Sequence, residues 1–380
     1  MSRSALFVTT VDITLEAFLV PFADRFRADG WRVDAASCGA TANPRIADHF
    51  DARFDIDWSR NPLDPRNLLV GARQVREIVE RGGYDIVHVH TPIAAFATRF
   101  ALRKLRPRPT VIYTAHGFHF YAGQDALPHA LFRTMERLAA PWTDFLVTVN
   151  REDFAAAQAL GGLAPDRIRY IPGIGVDPER FSPTAASAED VACLRAGIGV
   201  PDDAFLLTMV AEFSRVKRHA HALDALARVR SSRVELALVG DGPLEAEVRE
   251  AVAAKQLGER VVFAGYRRDL PALLVASDAL LLVSEREGLN RSVLEAMAAA
   301  RAVIGTNTRG IADAVDGAGW IVGKNDVVGL AAAIDGAAEN PAGCVRRGAL
   351  GRERVLAEFS LEAVLEAYER LYGEALATHV

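Results

Sequence analysis

Two glutamates stand on either side of a short turn in the second half of the chain. Glu287 precedes a glycine, and Glu295 follows eight positions later within SEREGLNRSVLEAMAAARAVIG, residues 284–305. The apolar runs around them predict a buried strand, a turn and the start of a helix. Carboxylates at such a turn can accept hydrogen bonds from the paired hydroxyls of a sugar, and the amides of residues 288–292 can bind an anion.

The second glutamate also has a purely structural interpretation. Ser292 and Glu295 have the spacing of a capping box, in which the serine caps the helix and the glutamate bonds back to the cap amide. Both interpretations are open at this point. If Glu295 binds a ligand, Glu287 lies before the flexible Gly288 on the ligand side of the same turn.

Further candidate side chains follow predicted strands in both halves of the chain. Lys217 lies in VAEFSRVKRH, His116 ends a strand in TVIYTAHGFHF, and Gly240 and Gly242 begin a helix in VGDGPLEAEV. Each also has an ordinary structural explanation. A lysine at a turn is commonly solvated, a histidine at a strand end is commonly packed, and paired glycines commonly make a tight connection.

Two patterns suggest metal ligands. His88 and His90 in IVHVHTP share one face of a strand and, with His119, could form a zinc site. No carboxylate or cysteine accompanies them, so we predict no zinc there. Asp55 and Asp57 in FDIDW form a D-x-D motif, but their alternation with apolar residues predicts a strand with its acids turned to solvent.

The elements that would position these residues repeat a single pattern. Strand-like runs alternate with amphipathic helices, which predicts parallel βαβ units and doubly wound sheets. The first series comprises ALFVTT, RVDAAS, DIVHVH, TVIYTAH, DFLVTVN and RIRYIP, and the second comprises FLLTMV, VELALVG, VVFAG, ALLLVS and AVIGT. We predict an N-terminal domain over residues 1–175, a linker over 176–203, a C-terminal domain over 204–358, and a final amphipathic helix over about 360–378 that returns to the first domain.

Composition excludes several classes of protein. The 380 residues are 50% hydrophobic and 24% charged, with a net charge of −5, which argues against a dedicated nucleic-acid binder. Three distant cysteines, without a C-x-x-C motif, indicate neither disulfides nor zinc and fit a reducing cytoplasm. The N-terminus lacks a signal-peptide pattern, and LPALLVASDALLLVS is too short and is interrupted by Asp278, so we expect a soluble or peripheral protein.

The spacing Glu287-x7-Glu295 resembles the E-x7-E signature of retaining glycosyltransferases of the GT-B fold, family 4 or group 1 type, which use nucleotide sugars. Further segments are similar to this family in order and spacing across nearly the whole chain: HGFHFY, AEFSRVKRH, VGDGPLEAEV, FAGYRRDLPALLVASDALLLVS and GRERVLAEFSLEAVLEAYERLY. The resemblance is to the branch that builds bacterial capsular polysaccharide, exopolysaccharide and lipopolysaccharide.

The resemblance implies a role for individual residues, with the active site in a cleft between the domains. Glu295 would bind the ribose hydroxyls of the nucleotide, Glu287 the transferring sugar, and His116 both donor sugar and acceptor. The residues implied to bind the donor are Lys217, Gly242, Arg267, Gly288, Leu289, Asn290, Ser292 and Glu295. The first turn lacks the paired glycines of many relatives, so the polar Thr10, Asp12 and Thr14 become candidates for acceptor binding, together with His90; Asp12 could equally cap the following helix.

The chain departs from the family pattern at two positions. The family pairs a lysine with an arginine to neutralise the diphosphate, and the arginine position here is Glu212. Arg215 could replace that cation. Asn290 stands where the family often has proline.

The implied reaction transfers a hexose or hexosamine, with retention, from a nucleoside diphosphate sugar that we expect to be uridine-linked. The acceptor would be a glycan on a polyprenyl diphosphate carrier, with no cofactor and no metal. Two alternatives share the fold: a sugar-nucleotide 2-epimerase, and a non-catalytic partner of another glycosyltransferase. An epimerase would release free hexosamine without an acceptor, and intact candidate side chains argue against a non-catalytic role.

One basic segment suggests where the protein works. TRFALRKLRPRP, residues 98–109, carries five cations and no acid: Arg99, Arg103, Lys104, Arg106 and Arg108. Cations are also favoured at a helix C-terminus by its dipole, so a solvated helix end is the alternative. Because Phe100, Leu102 and Leu105 lie between the charges, we predict reversible binding to an anionic membrane, on the inner face of the cytoplasmic membrane.

Overall fold

The structure is a computed structural model that describes residues 3–121 and 123–377. It divides into two compact units, each treated separately below. One comprises Met1–Ile174 together with Val364–Val380, and the other comprises Gly175–Ala363. Position 378, in the predicted final helix, lies outside the described residues.

The N-terminal unit contains a seven-stranded sheet with the order β3-β2-β1-β4-β5-β6-β7. All of its paired strands are parallel. The strands are β1 (Ser4–Val11), β2 (Arg32–Cys38), β3 (Arg53–Asp55), β4 (Ile86–His90), β5 (Thr110–Ala115), β6 (Phe145–Thr148) and β7 (Ile168–Tyr170). Their helices are α1 (Asp12–Thr14), α2 (Val20–Ala28), α3 (Ala72–Gly82), α4 (Pro92–Leu102), α5 (Ala126–Ala139) and α6 (Arg151–Leu160).

The C-terminal unit contains a six-stranded parallel sheet with the order β10-β9-β8-β11-β12-β13. The strands are β8 (Phe205–Val210), β9 (Val234–Val239), β10 (Val261–Gly265), β11 (Ala279–Leu282), β12 (Ala302–Thr306) and β13 (Gly319–Val322). Its helices are α7 (Ala188–Gly197), α8 (His219–Leu226), α9 (Glu245–Ala254), α10 (Leu270–Ala276), α11 (Arg291–Ala298), α12 (Ile311–Val315), α13 (Val327–Glu339) and α14 (Pro341–Arg354).

Continuous apolar runs explain the central strands. Helices on both faces of a parallel sheet bury every side chain of a central strand, so such strands do not alternate apolar and polar residues. In β11 all four residues, Ala279–Leu282, are buried. The two doubly wound parallel sheets confirm the fold class predicted from the strand–helix alternation.

The segment predicted as a linker is instead folded. Residues 188–197 form α7, which begins with a capping box between Ser187 and Asp190. Leu194 and Ile198 then pack beside the buried Leu273 of α10 in a satellite core of the C-terminal unit. The sequence pattern did not predict α7 for two reasons. Loop-forming residues surround the helix, and its own apolar positions are few and widely spaced.

The final helix, α15 (Leu361–Ala377), buries an aromatic edge in the N-terminal unit. The rings of Tyr372 and Phe26 stack with centroids 4.4 Å apart. The Tyr372 hydroxyl lies 2.7 Å from His88 Nδ1, and the Tyr368 hydroxyl lies 3.0 Å from Thr114 Oγ1. These contacts join the end of the chain to strands β4 and β5.

We expect Tyr372→Ala to lower the free energy of unfolding by about 3–5 kcal/mol, because it leaves a cavity beside Phe26. Tyr372→Phe should cost about 1–3 kcal/mol, because it leaves a buried nitrogen of His88 without its partner. Urea unfolding followed by circular dichroism measures both. Tyr266→Ala is the matched control, since Tyr266 is 73% exposed. Equal effects at positions 372 and 266 would contradict the packing of α15.

Candidate active site

The strand order of both sheets reverses next to the first strand of each. In the C-terminal unit the reversal lies between β8 and β11, which are neighbours. Ligands of open α/β sheets bind beyond the carboxyl ends of the strands at such a reversal. The turns after Val210 and Leu282 lie at this point, and they carry Lys217 and Glu287.

Lys217 and Glu287 form an ion pair there. Lys217 ends the 3-10 turn Arg215–Lys217, and its Nζ lies 2.5 Å from Glu287 Oε1. The two side chains are only 19% and 11% exposed, so water screens the pair weakly. The Glu285 amide donates to the Val216 carbonyl at 2.8 Å, which ties the two turns together. The structure therefore brings together a predicted cation and a predicted carboxylate.

The start of α11 does not contain the capping box that was the structural alternative for Glu295. The cap is Asn290, whose Oδ1 accepts from the Val293 amide at 3.2 Å. The Ser292 hydroxyl lies 2.7 Å from the same Oδ1. The alternative in which Ser292 caps the helix and Glu295 bonds back to it is thus wrong, because Asn290 is the cap and the helix begins at Arg291. Asparagine at position 290 has a physical reason here, since it is among the best capping residues.

The cap leaves some backbone donors available. Within the described residues, the amides of Leu289 and Ser292 donate to no acceptor of the protein. They lie at the N-terminus of α11, where the helix dipole favours negative charge. The Leu289 side chain packs against the core, so only its backbone is offered to a ligand.

Glu295 lies one turn into α11 and is 6% exposed. Its Oε1 accepts from Arg291 Nε at 2.8 Å. Burial raises the pKa of the Glu295 carboxyl above its ordinary value of 4.5, while Arg291 opposes that shift. A buried carboxylate with this bond to one of its oxygens retains acceptor capacity for hydroxyl groups.

Glycines bring the turns around this site close together. A Cβ at Gly242, where φ is 151°, would lie 2.6 Å from the Phe213 amide nitrogen, and one at Gly240 would lie 2.3 Å from the Ala211 carbonyl oxygen. A Cβ at Gly310 would lie 2.0 Å from the Gly288 carbonyl oxygen. Backbone packing therefore explains Gly242 without a ligand, and its contact with a donor stays a prediction.

Arg267 lies further along the same sheet edge. It follows β10, three strands from β11, which corresponds to about 14 Å at ~4.8 Å per strand. Its Nε donates to Asp269 Oδ1 at 2.9 Å.

Arg215 is exposed, as is Glu212. Whether Arg215 replaces the missing cation stays a prediction.

In the N-terminal unit, His116 follows β5 directly. Its Nε2 lies 3.0 Å from His90 Nδ1, and the two rings stack with centroids 5.3 Å apart. Burial lowers the pKa of His116 to about 4 and also lowers the pKa of His90. Both rings are therefore neutral near pH 7 and share one proton at their contact, so that His116 Nδ1 is left for a ligand.

Two predicted acceptor-binding residues have partners within the protein. His90 is 2% exposed, and its ring supports His116. Thr10 is 6% exposed, and its hydroxyl lies 2.7 Å from that of Thr91. Their contact with an acceptor stays a prediction. Sequence pattern does not distinguish inward from outward side chains at a strand end.

Asp12 stays a candidate for acceptor binding. It is half-buried, and its Oδ2 accepts from Asn43 Nδ2 at 2.9 Å. The alternative that it caps the following helix is wrong, because Val11 is the cap residue and makes no side-chain bond.

The metal motifs have structural explanations. Asp55 and Asp57 are exposed while Ile56 and Trp58 are buried, as the alternation predicted. His88 is bonded by Tyr372 and Thr114. Over residues 3–121 and 123–377, no group of three or more His, Cys, Asp or Glu side chains could hold a metal ion.

The basic segment is less exposed than predicted. Arg99 is 2% exposed and pairs with Glu136 at 2.9 Å, so it cannot reach a membrane. Leu102 and Leu105 are buried in the core. Lys104 and Arg106 remain exposed. In the part of the chain that the structure describes, no helix is long and apolar enough to cross a bilayer.

Several side chains near the site were not predicted. Arg309 Nε donates to the Glu287 carbonyl at 3.0 Å, and Arg291 holds Glu295. Thr91, with a positive φ of 64°, lies between Thr10 and His90. Arg309 precedes a glycine in a turn-rich segment, and no other sequence feature indicated that it lies near the site. Arg291 lies four residues before Glu295, a spacing typical of helical ion pairs.

Comparison with known proteins agrees with this geometry. Residues 15–180 match the family described as Glycosyltransferase Family 4, and residues 204–340 match Glycosyl transferases group 1. A Bacillus subtilis protein named as a glycosyltransferase, EpsD, is 34% identical over 98% of this chain and 97% of its own length. The chain therefore belongs to the group 1 glycosyltransferases of the GT-B fold.

Two further comparisons bear on the ligands of relatives. The UDP-Gal:alpha-D-GlcNAc-diphosphoundecaprenol alpha-1,3-galactosyltransferase of Escherichia coli is 28% identical over 62% of this chain and 60% of its own length. The crystal structure of Anabaena HepE in complex with UDP has a TM-score of 0.82 at 19% identity and covers 98% of this chain and 100% of its own. The second likeness concerns the fold alone. EpsD, the Escherichia coli galactosyltransferase and a lipopolysaccharide core biosynthesis glycosyltransferase of Rhizobium meliloti support glycosyl transfer in polysaccharide or lipopolysaccharide biosynthesis and do not favour an epimerase or a non-catalytic subunit.

We expect Glu295→Gln to change how stability depends on pH. Because burial raises the pKa of Glu295, its contribution to stability is complete below the pKa of the unfolded chain and is lost as the pH rises through the folded pKa. The glutamine variant lacks this loss. Its melting temperature relative to wild type should therefore increase from about pH 4 to about pH 7. The exposed Glu285→Gln provides the control, and a difference that shrinks over this range would contradict the burial of an ionising carboxyl.

Proposed function

We propose that this protein is a retaining glycosyltransferase that moves a hexose or hexosamine from a UDP-linked donor to a glycan on a polyprenyl diphosphate carrier. The observation that carries the proposal is the Lys217–Glu287 ion pair beside the N-terminus of α11 at the strand reversal. It places a cation, a carboxylate and free amides at one point, which are the groups needed by a diphosphate and a sugar. The names of the relatives support both substrates, since they contain UDP, UDP-Gal and diphosphoundecaprenol.

The donor would exchange partners with the ion pair. The diphosphate competes for the Lys217 ammonium and for the amides of Leu289 and Ser292, which releases Glu287 to accept hydrogen bonds from the sugar hydroxyls. Glu295, freed in part from Arg291, accepts bonds from the ribose hydroxyls. Arg267, at about 14 Å along the sheet edge, suits the far end of an extended nucleotide.

The chemistry would be carried by the donor diphosphate itself. The acceptor oxygen bonds to the anomeric carbon, the bond from that carbon to the diphosphate oxygen breaks, and the acceptor proton passes to the leaving diphosphate. Lys217 and the helix amides stabilise the charge that develops there, without a metal ion. His116, through Nδ1, contributes to binding of the donor sugar and the acceptor, and Asp12 to binding of the acceptor.

A carrier held in a bilayer would place the enzyme at the inner face of the cytoplasmic membrane as a peripheral protein. Lys104 and Arg106, the exposed cations of the basic segment, support attraction to anionic lipid.

We expect Glu287→Gln to lower kcat by about 100-fold or more and to preserve UDP binding. The amide keeps the size of the side chain but loses the charge that orients the sugar, and Lys217 becomes freer for the diphosphate. Radiolabelled sugar transfer and calorimetric titration with UDP measure the two effects. Glu285→Gln, an exposed position two residues earlier, should leave both unchanged. Turnover near wild type in the Glu287 variant would remove this carboxylate from the donor site.

We expect transfer to persist in EDTA, because Lys217 and the amides at the start of α11, and not a metal ion, bind the diphosphate. Initial rates are compared in chelator and after addition of magnesium or manganese. If activity is fully lost in chelator and is restored by magnesium or manganese, metal independence is contradicted. Asp55 and Asp57 would then become the candidate metal ligands.

A further inference from the structure

The hydrogen bond between His90 and His116 can run in only two directions. His90 ends β4, and its Nδ1 lies 3.0 Å from Nε2 of His116, which follows β5. Burial lowers the pKa of both rings, so each is neutral near pH 7 and carries a single proton. One of the two nitrogens at the contact must therefore be the donor and the other the acceptor.

The direction of this bond decides what His116 presents to a ligand. If His90 Nδ1 donates, the proton of His116 is on Nδ1, and His90 Nε2 carries no proton. If His116 Nε2 donates, His116 Nδ1 is a bare acceptor, and the proton of His90 is on Nε2. The surroundings of His90 Nε2 therefore distinguish the two arrangements.

His90 Nε2 is buried and has no hydrogen-bond partner within the described residues. Its ring lines a cavity of about 10 Å³, close to the least space that can hold one water molecule. The apolar walls of this cavity are Phe7, Leu19, Phe22 and Ile174, and the other walls are His88, His116 and Tyr368.

The polar groups of the walls are bonded to other partners. Nδ1 and Nε2 of His88 bond to Tyr372 and Thr114, and the Tyr368 hydroxyl lies 3.0 Å from Thr114 Oγ1. A buried water needs two to four polar partners, so this cavity favours a dry space. A proton on His90 Nε2 would then lack an acceptor. Buried N–H groups without an acceptor are rarer in proteins than acceptors without a donor, which favours donation from His90 Nδ1.

We propose that His90 is a positioning residue that donates from Nδ1 to His116 and thereby holds His116 in the tautomer with its proton on Nδ1. His116 then offers a hydrogen-bond donor to an oxygen of the donor sugar or of its diphosphate. It cannot take the proton of the acceptor without becoming a buried cation. The inference rests on the proposed function and deepens it, because it leaves the diphosphate, and not His116, to receive that proton.

Nuclear magnetic resonance of the full chain labelled with ¹⁵N-histidine tests the tautomer directly. Two-bond ¹⁵N–¹H correlation spectra distinguish a protonated Nδ1 from a protonated Nε2. Without any ligand, wild type should show both His90 and His116 with the proton on Nδ1. Spectra of His90→Asn and His116→Asn assign the two rings. A proton on Nε2 of His116 in wild type overturns the proposal.

Two substitutions test what this hydrogen bond does for transfer. His90→Leu removes the donor and should lower kcat by about tenfold or more, because His116 is no longer held in one tautomer. His90→Asn should keep more of the wild-type kcat, since an asparagine Nδ2 can lie close to the position of His90 Nδ1. Affinity for UDP, measured by calorimetry, should be unchanged in both variants, because the proposed UDP contacts are in the C-terminal unit.

His49→Leu is the matched control. His49 is partly exposed and bonds to Asp24, so this change should alter neither kcat nor the signals of His116. Circular dichroism melting checks that each variant is folded. If His90→Leu does not fold, the wild-type spectrum still decides, because His116→Asn assigns the ring in question.

The outcomes separate the role of His90 from the proposed function. A leucine variant with the kcat of wild type, or equal losses of kcat in folded leucine and asparagine variants, overturns the positioning role. The spectra need no substrate. A wild type with the expected tautomer but without any transfer activity therefore counts against the proposed function and not against the tautomer.

Discussion

Parallel pairing, with the strand order reversed beside the first strand of each sheet, is the constraint on which the candidate site depends. Parallel strands need helical crossovers, and crossovers on opposite faces leave a gap at the carboxyl edge where the order reverses. The turns after β8 and β11 meet at that gap in the C-terminal unit, and the turns after β1 and β4 meet at the corresponding gap in the N-terminal unit. Residues 70 positions apart, Lys217 and Glu287, become neighbours for this reason.

The ion pair at this gap combines stability with readiness for a ligand. A lysine and a glutamate that are both mostly buried would each be costly alone, and each satisfies the other. In the proposed function a diphosphate takes the lysine as its partner, and sugar hydroxyls then supply hydrogen bonds to the Glu287 carboxylate. The glycines at positions 240, 242 and 310 allow the backbones of the surrounding turns to approach one another closely.

The N-terminal unit shows a second use of buried polar groups. Hydrogen bonds link Tyr372 to His88, and His88 to Thr114, so the final helix is tied to two central strands. The His90 ring packs against His88 at a tilt of 37°, with ring centroids 4.1 Å apart, and bonds to His116. The position of the His116 ring is therefore set by packing that reaches back to the end of the chain.

The sequence by itself determined the parallel, doubly wound class of both sheets, the order of their strands apart from β13, and the residue types at the turns. Hydrophobic period and strand–helix alternation are local properties, and the spacing of Glu287 and Glu295 is a property of one segment. Only the tertiary structure decided which side chains face inward. It buried His90, Thr10 and Arg99, folded α7 where a linker was predicted, and made Asn290 the cap of α11. It also placed Arg309 beside Glu287. Burial and partnership depend on elements distant in sequence, and no local pattern encodes which partner a strand end or helix cap will meet.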